Sequence, residues 1–103
     1  MSASAPARLL AALASVLDAN AWLWYVFGAQ AVSAWGRPRM TADVDVTVRL
    51  GEAPAARLVS ALAAARFRLR VTDAAAFVAR TRVLPFVHEP TAFPVDIVLA
   101  GAG

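Results

Sequence analysis

The chain has 103 residues, 60% of them hydrophobic and many of those alanine, which fits one small domain with a dense core. It has no cysteine, so disulfides and thiolate metal sites are excluded. Its ten basic residues are all arginine and outweigh seven acids for a formal charge of +3, a balance suited to an anionic partner such as a nucleotide, an RNA or an acidic protein face.

Pro6 to Asn20 reads as a helix. Proline suits a first turn, and Leu9, Leu10, Leu13, Val16 and Leu17 recur at helical spacing on one face. Leu9 to Leu17 followed by Ala19-Asn20-Ala21 has the outline of a signal peptide, but only Arg8 and the terminal amine precede the apolar stretch and Asp18 interrupts it. An ordinary helix is the better reading. Trp22 to Phe27 is a short aromatic and aliphatic run, read as a strand buried on both faces. Gly28 to Trp35 reads as a short helix closed by Gly36, and Arg37-Pro38-Arg39 as a loop. The apolar stretch from Ala21 to Trp35 is broken by Gly28 and Gln30 and is shorter than the roughly 20 residues that span a bilayer, so no membrane segment is expected.

From Met40 to Arg49 the pattern alternates strictly. Met40, Ala42, Val44, Val46 and Val48 fall on one side, and Thr41, Asp43, Asp45, Thr47 and Arg49 on the other, which predicts a strand. Ala53 to Ala65 predicts a second helix, and Phe67 to Val71 an edge strand. Asp73 is placed to cap a helix running to about Arg80. Val83 to His88 and Phe93 to Leu99 predict two strands joined at Glu89-Pro90-Thr91-Ala92 as a hairpin. No internal repeat or linker divides residues 1–103. The expected class is α+β: a small mixed β-sheet with helices packed on it.

The chemically informative feature is the polar side of the Met40–Arg49 strand. Residues two apart on a strand point the same way, so Asp43 and Asp45 present two carboxylates with Cα atoms about 6.5–7 Å apart. Such a pair repels unless a cation neutralises it, and Mg2+ accepts one or two carboxylates together with phosphate oxygens and water. Surface decoration of a solvated sheet is the competing explanation for any Asp-x-Asp. Two observations oppose it: aspartate is a poor strand residue, and Asp96 sits inside the apolar run Phe93-Pro94-Val95-Asp96-Ile97-Val98-Leu99, where an unpaired charge is costly. Strands carrying Asp43, Asp45 and Asp96 side by side would gather the acids. Gly28 and Ala29, at a strand-to-helix turn, would offer backbone N–H groups to a phosphate, for which tight packing is the plainer alternative. Arg39 would clamp phosphate oxygens or simply lie on the surface.

The order Val26-Phe27-Gly28-Ala29-Gln30, Gly36-Arg37-Pro38-Arg39-Met40-Thr41-Ala42-Asp43-Val44-Asp45-Val46 and Val95-Asp96-Ile97 resembles the nucleotidyltransferase superfamily of the DNA polymerase beta type. The central block is most similar to bacterial AbiEii/AbiGii toxin-like and other minimal nucleotidyltransferases. That resemblance implies a nucleotidyltransferase-like fold in a cytoplasmic protein. It makes Asp43, Asp45 and Asp96 the catalytic carboxylates and metal ligands for Mg2+, with Mn2+ as the alternative. Gly28 and Ala29 would form the phosphate-binding turn, and Arg39 and Thr41 would lie near the triphosphate. The implied activity transfers a nucleoside monophosphate from a nucleoside triphosphate to a hydroxyl of RNA, protein or a small molecule. Two features depart from the family pattern. Ala29 replaces the usual second Gly or Ser of the turn. Related proteins also continue past the third acidic strand, so the domain is expected to be truncated at its C-terminus or to need a partner. The alternative is a non-catalytic nucleotide- or partner-binding module of a toxin–antitoxin-type system, and a homodimer is a further expectation. His88, beside Glu89, reads as structural or exposed, and Arg66, Arg68 and Arg70 as a solvated strand face.

Overall fold

The structure is a computed structural model and describes residues 4–27 and 44–100. Helix α1 covers Ala5–Ala19. Ser4 caps it by accepting the Ala7 N–H at 3.3 Å, and Pro6 stands in its first turn, where the missing donor costs nothing. Leu9, Leu13 and Leu17, each one helical turn apart, are fully buried. At the other end the Asn20 side-chain amide donates to the Val16 carbonyl at 2.9 Å, satisfying one of the last acceptors.

Strand β1 (Leu23–Phe27) follows directly, and β2 covers Val44–Arg49. Helix α2 (Ala55–Ala64) buries Leu58 and Leu62, again one turn apart. A short β3 (Phe67–Leu69) leads to α3 (Ala74–Thr81), whose N-cap Asp73 accepts the Ala76 N–H at 3.1 Å. The hairpin of β4 (Val83–His88) and β5 (Phe93–Leu99) ends the described chain.

These strands form one five-stranded sheet in the order β1-β2-β5-β4-β3. All neighbours are antiparallel except β2 and β5, which run parallel at the centre. The expected class therefore holds: a small mixed sheet with helices packed against it. On the covered face, Val44, Val46 and Val48 of β2 meet Val95 and Ile97 of β5 and Leu84 and Phe86 of β4 beneath the leucines of α1 and α2. Strict alternation along β2 and β5 puts the opposite residues, Asp45, Thr47, Asp96 and Val98, on the other face.

One expectation needs correcting. The aromatic run at β1 was expected to be buried on both faces, but among the described residues β1 is an edge strand, with Leu23 67% and Tyr25 60% exposed. Trp22, Trp24 and Val26 turn inward, with Trp22 buried and the other two partly so. A run of large apolar residues signals β-propensity, but the burial of its second face depends on what the rest of the chain places there. The short helix expected at Gly28–Trp35, the loop at 37–39 and the beginning of the Met40–Arg49 strand lie outside the described residues. No helix among the described residues is long and apolar enough to cross a membrane.

Candidate functional site

Asp45 is the second residue of β2 and Asp96 the fourth of β5, and the parallel register sets them directly opposite one another. Neighbouring strands lie about 4.8 Å apart and opposed residues share a face, so the two carboxylates leave the sheet side by side. Both residues are half-buried. Val44 and Val46 beside Asp45, and Val95 and Ile97 beside Asp96, point into the core and lock the register, because a slip of one residue would send the acids inward.

The same row continues across the sheet. On one side Phe27, the last residue of β1, is in register with Asp45. On the other, Pro85 of β4 is in register with Asp96, and beyond it the Arg70 N–H donates to the Pro85 carbonyl at 2.8 Å. Proline is tolerated at this point of β4 because β3 has already ended at Leu69, so the ladder donor that proline lacks has no partner strand to serve.

Arg70 reaches back across the buried Pro85. Its Nε donates to the Phe86 carbonyl at 3.0 Å, and a terminal guanidinium nitrogen makes an ion pair with Asp96 Oδ1. The side chains are 35% and 28% exposed, so this contact is partly withdrawn from water and stronger than a free surface pair. Arg68, two residues earlier, pairs with Glu89 at 2.9 Å in a more exposed position.

Of the residues singled out from the sequence, Asp45 and Asp96 come together through the parallel pairing of β2 with β5. Asp43, Gly28, Ala29, Arg39 and Thr41 lie outside the described residues. Asp43 immediately precedes β2, and Gly28 immediately follows the β1 residue in register with Asp45. Among the described residues no group of three or more His, Asp or Glu converges. Two adjacent carboxylates are nonetheless a donor set that suits a hard cation such as Mg2+, which completes its shell with phosphate oxygens and water.

Arg70 is the residue that sequence reasoning missed. Its alternation with apolar neighbours pointed to solvent, and its partner lies 26 residues away on a strand that is not adjacent to β3. Knowledge of the strand order is needed to see the pairing. His88 sits in the hairpin, buried, with its ring 4.7 Å from that of Phe67 and Nδ1 2.9 Å from Thr91 Oγ1. This satisfied, packed position belongs to the structural reading of that histidine. Burial foremost, then the guanidinium charges of Arg8 and Arg66, hold its pKa below the usual 6.5.

No protein-family model matches this chain, and comparison with curated proteins finds no relative.

Proposed function

We propose that this domain is the core of a nucleotidyltransferase that moves a nucleoside monophosphate from a nucleoside triphosphate to an acceptor hydroxyl, with Mg2+ or Mn2+. The observation that carries this reading is the register of Asp45 against Asp96 at the parallel centre of the sheet. Two acids brought opposite each other from strands some fifty residues apart form a donor pair that a shared cation would use. The sequence block Gly36-Arg37-Pro38-Arg39-Met40-Thr41-Ala42-Asp43-Val44-Asp45, with its likeness to minimal nucleotidyltransferases, supports the same reading.

Asp45 and Asp96, with Asp43 from the residue before β2, would hold the cation. When bound, a divalent metal supplies charge to the triphosphate oxygens and acidifies the attacking hydroxyl. In the transfer, the acceptor oxygen bonds to the α-phosphorus as the bond to the bridging oxygen breaks, and pyrophosphate leaves with that electron pair. The proton of the acceptor hydroxyl would pass to the Asp96 carboxylate oxygen that is not engaged with the cation. Thr47 follows Asp45 on the same face and places a neutral hydroxyl about 6.8 Å further along the strand, within reach of a substrate oxygen.

The test is pyrophosphate release with each of the four nucleoside triphosphates and a mixed RNA and protein acceptor pool. Asp45→Asn and Asp96→Asn are expected to lose about a hundredfold or more in turnover while keeping wild-type circular dichroism. Wild-type turnover in both variants would make the carboxylate assignment wrong. The Arg70–Asp96 ion pair favours a second reading, a binding module that holds nucleotide without turning it over. Metal-dependent triphosphate binding with no pyrophosphate release from any acceptor would select it.

A further inference from the structure

We propose that Arg70 is a resident counter-ion of the Asp45–Asp96 pair, which a divalent cation must displace from Asp96 before it occupies the site. This rests on the reading of those two carboxylates as cation ligands. Three bonds fix Arg70 in place: its own N–H to the Pro85 carbonyl, Nε to the Phe86 carbonyl, and a terminal nitrogen to Asp96 Oδ1. Here the side chain crosses β4 at Pro85 to put its charge on Asp96, the carboxylate that the register sets opposite Asp45 with Cα atoms about 4.8 Å apart.

The chemistry makes the guanidinium and a metal ion competitors. Both are cations drawn to the same oxygens, and at contact distance they repel each other. The bonds to Pro85 and Phe86 do not involve Asp96, so they survive when the terminal nitrogen lets go. The released guanidinium then stays at the rim of the site with its donors unpaired, and it suits the oxygens of an incoming triphosphate. Arg70 would thus set the threshold at which free metal binds and would couple metal entry to phosphate capture. Arg68 carries the same charge on the same segment but engages Glu89 instead, so it provides an internal control.

The experiment measures binding of Mn2+ alone, by the electron paramagnetic resonance signal of the free ion, to wild type, Arg70→Gln, Arg70→Met, Arg68→Gln and Asp45→Asn. Arg70→Met keeps an aliphatic stem over Pro85 and guards against a folding defect in the glutamine variant, and thermal melts in EDTA check both. The expected result is Mn2+ binding about tenfold tighter in both Arg70 variants, with Arg68→Gln within about twofold of wild type. Unchanged or weaker binding in the Arg70 variants, with Asp45→Asn clearly impaired, would overturn the counter-ion role and leave the carboxylate site standing. Absence of Asp45-dependent binding in every protein would instead remove the cation site, and the counter-ion role with it.

Discussion

His88 shows how burial turns one side chain into a pH-dependent element of stability. Its pKa in the folded protein lies below 6.5, chiefly through burial and then through the Arg8 and Arg66 charges. Between the two values the unfolded chain binds more protons than the folded one, so stability rises with pH there. The contribution is whole above the unfolded value of 6.5, erodes as pH falls below it, and levels off beneath the folded value. Urea titrations at pH 7.5, 6.5 and 5.5 are expected to show a falling midpoint in the wild type. In His88→Phe, which keeps a ring against Phe67, the midpoint should change less over that interval, and an identical slope in the two proteins would rule out the histidine as the cause. At this scale the sequence told part of the story. Asp45 and Asp96 were legible because an acid amid strand-forming valines is conspicuous. Arg70 was not, because its role depends on a strand order that no local pattern encodes.

Among the elements, α3 and the β4–β5 turn carry the clearest local signals. The eight residues of α3 bury no side chain fully, so the helix leans on its cap and on partial packing of Ala74 and Val78. Asp73→Ala is expected to cost about 0.5–2 kcal/mol, read as a lower urea midpoint with an unchanged slope. No change in midpoint would mean the cap contributes nothing beyond what water supplies. In the hairpin, Ala92 stands at φ 59 and its N–H donates to the His88 carbonyl at 2.7 Å, a left-handed position that glycine occupies without penalty. Ala92→Gly should therefore stabilise by up to about 1 kcal/mol, and a loss of stability would show that the methyl group packs usefully there. Strand β1 was misjudged for a physical reason: Leu23-Trp24-Tyr25-Val26-Phe27 has the composition of a central strand yet stands at the edge of the sheet among the described residues. An uncharged edge with Leu23 and Tyr25 exposed invites pairing with other chains, in contrast to β3, which is short and carries Arg68. Tyr25→Lys is expected to lower concentration-dependent association in sedimentation or light scattering with little effect on the urea midpoint. Equal association in wild type and variant would clear this edge of responsibility.

At the scale of the whole molecule, alternation and helical spacing foretold most of what the structure shows. The leucine stripe of α1, the valines of β2 and the cap at Asp73 all follow from local pattern, and together they give the α+β class. What local pattern could not supply was the parallel contact of β2 with β5, which joins residues some fifty positions apart and creates the Asp45–Asp96 juxtaposition. The fold thus brings two acids together at the centre of its sheet and places an arginine on one of them, the arrangement on which the proposed triphosphate and cation site rests. The most direct measurement is calorimetric titration of ATP, GTP, CTP and UTP into the protein in Mg2+ and again in EDTA, beside Asp45→Asn. At least one triphosphate is expected to bind in Mg2+, EDTA to abolish the heat, and Asp45→Asn, though folded, to show no binding. Binding that survives EDTA, or that Asp45→Asn retains at wild-type affinity, would contradict the proposed site.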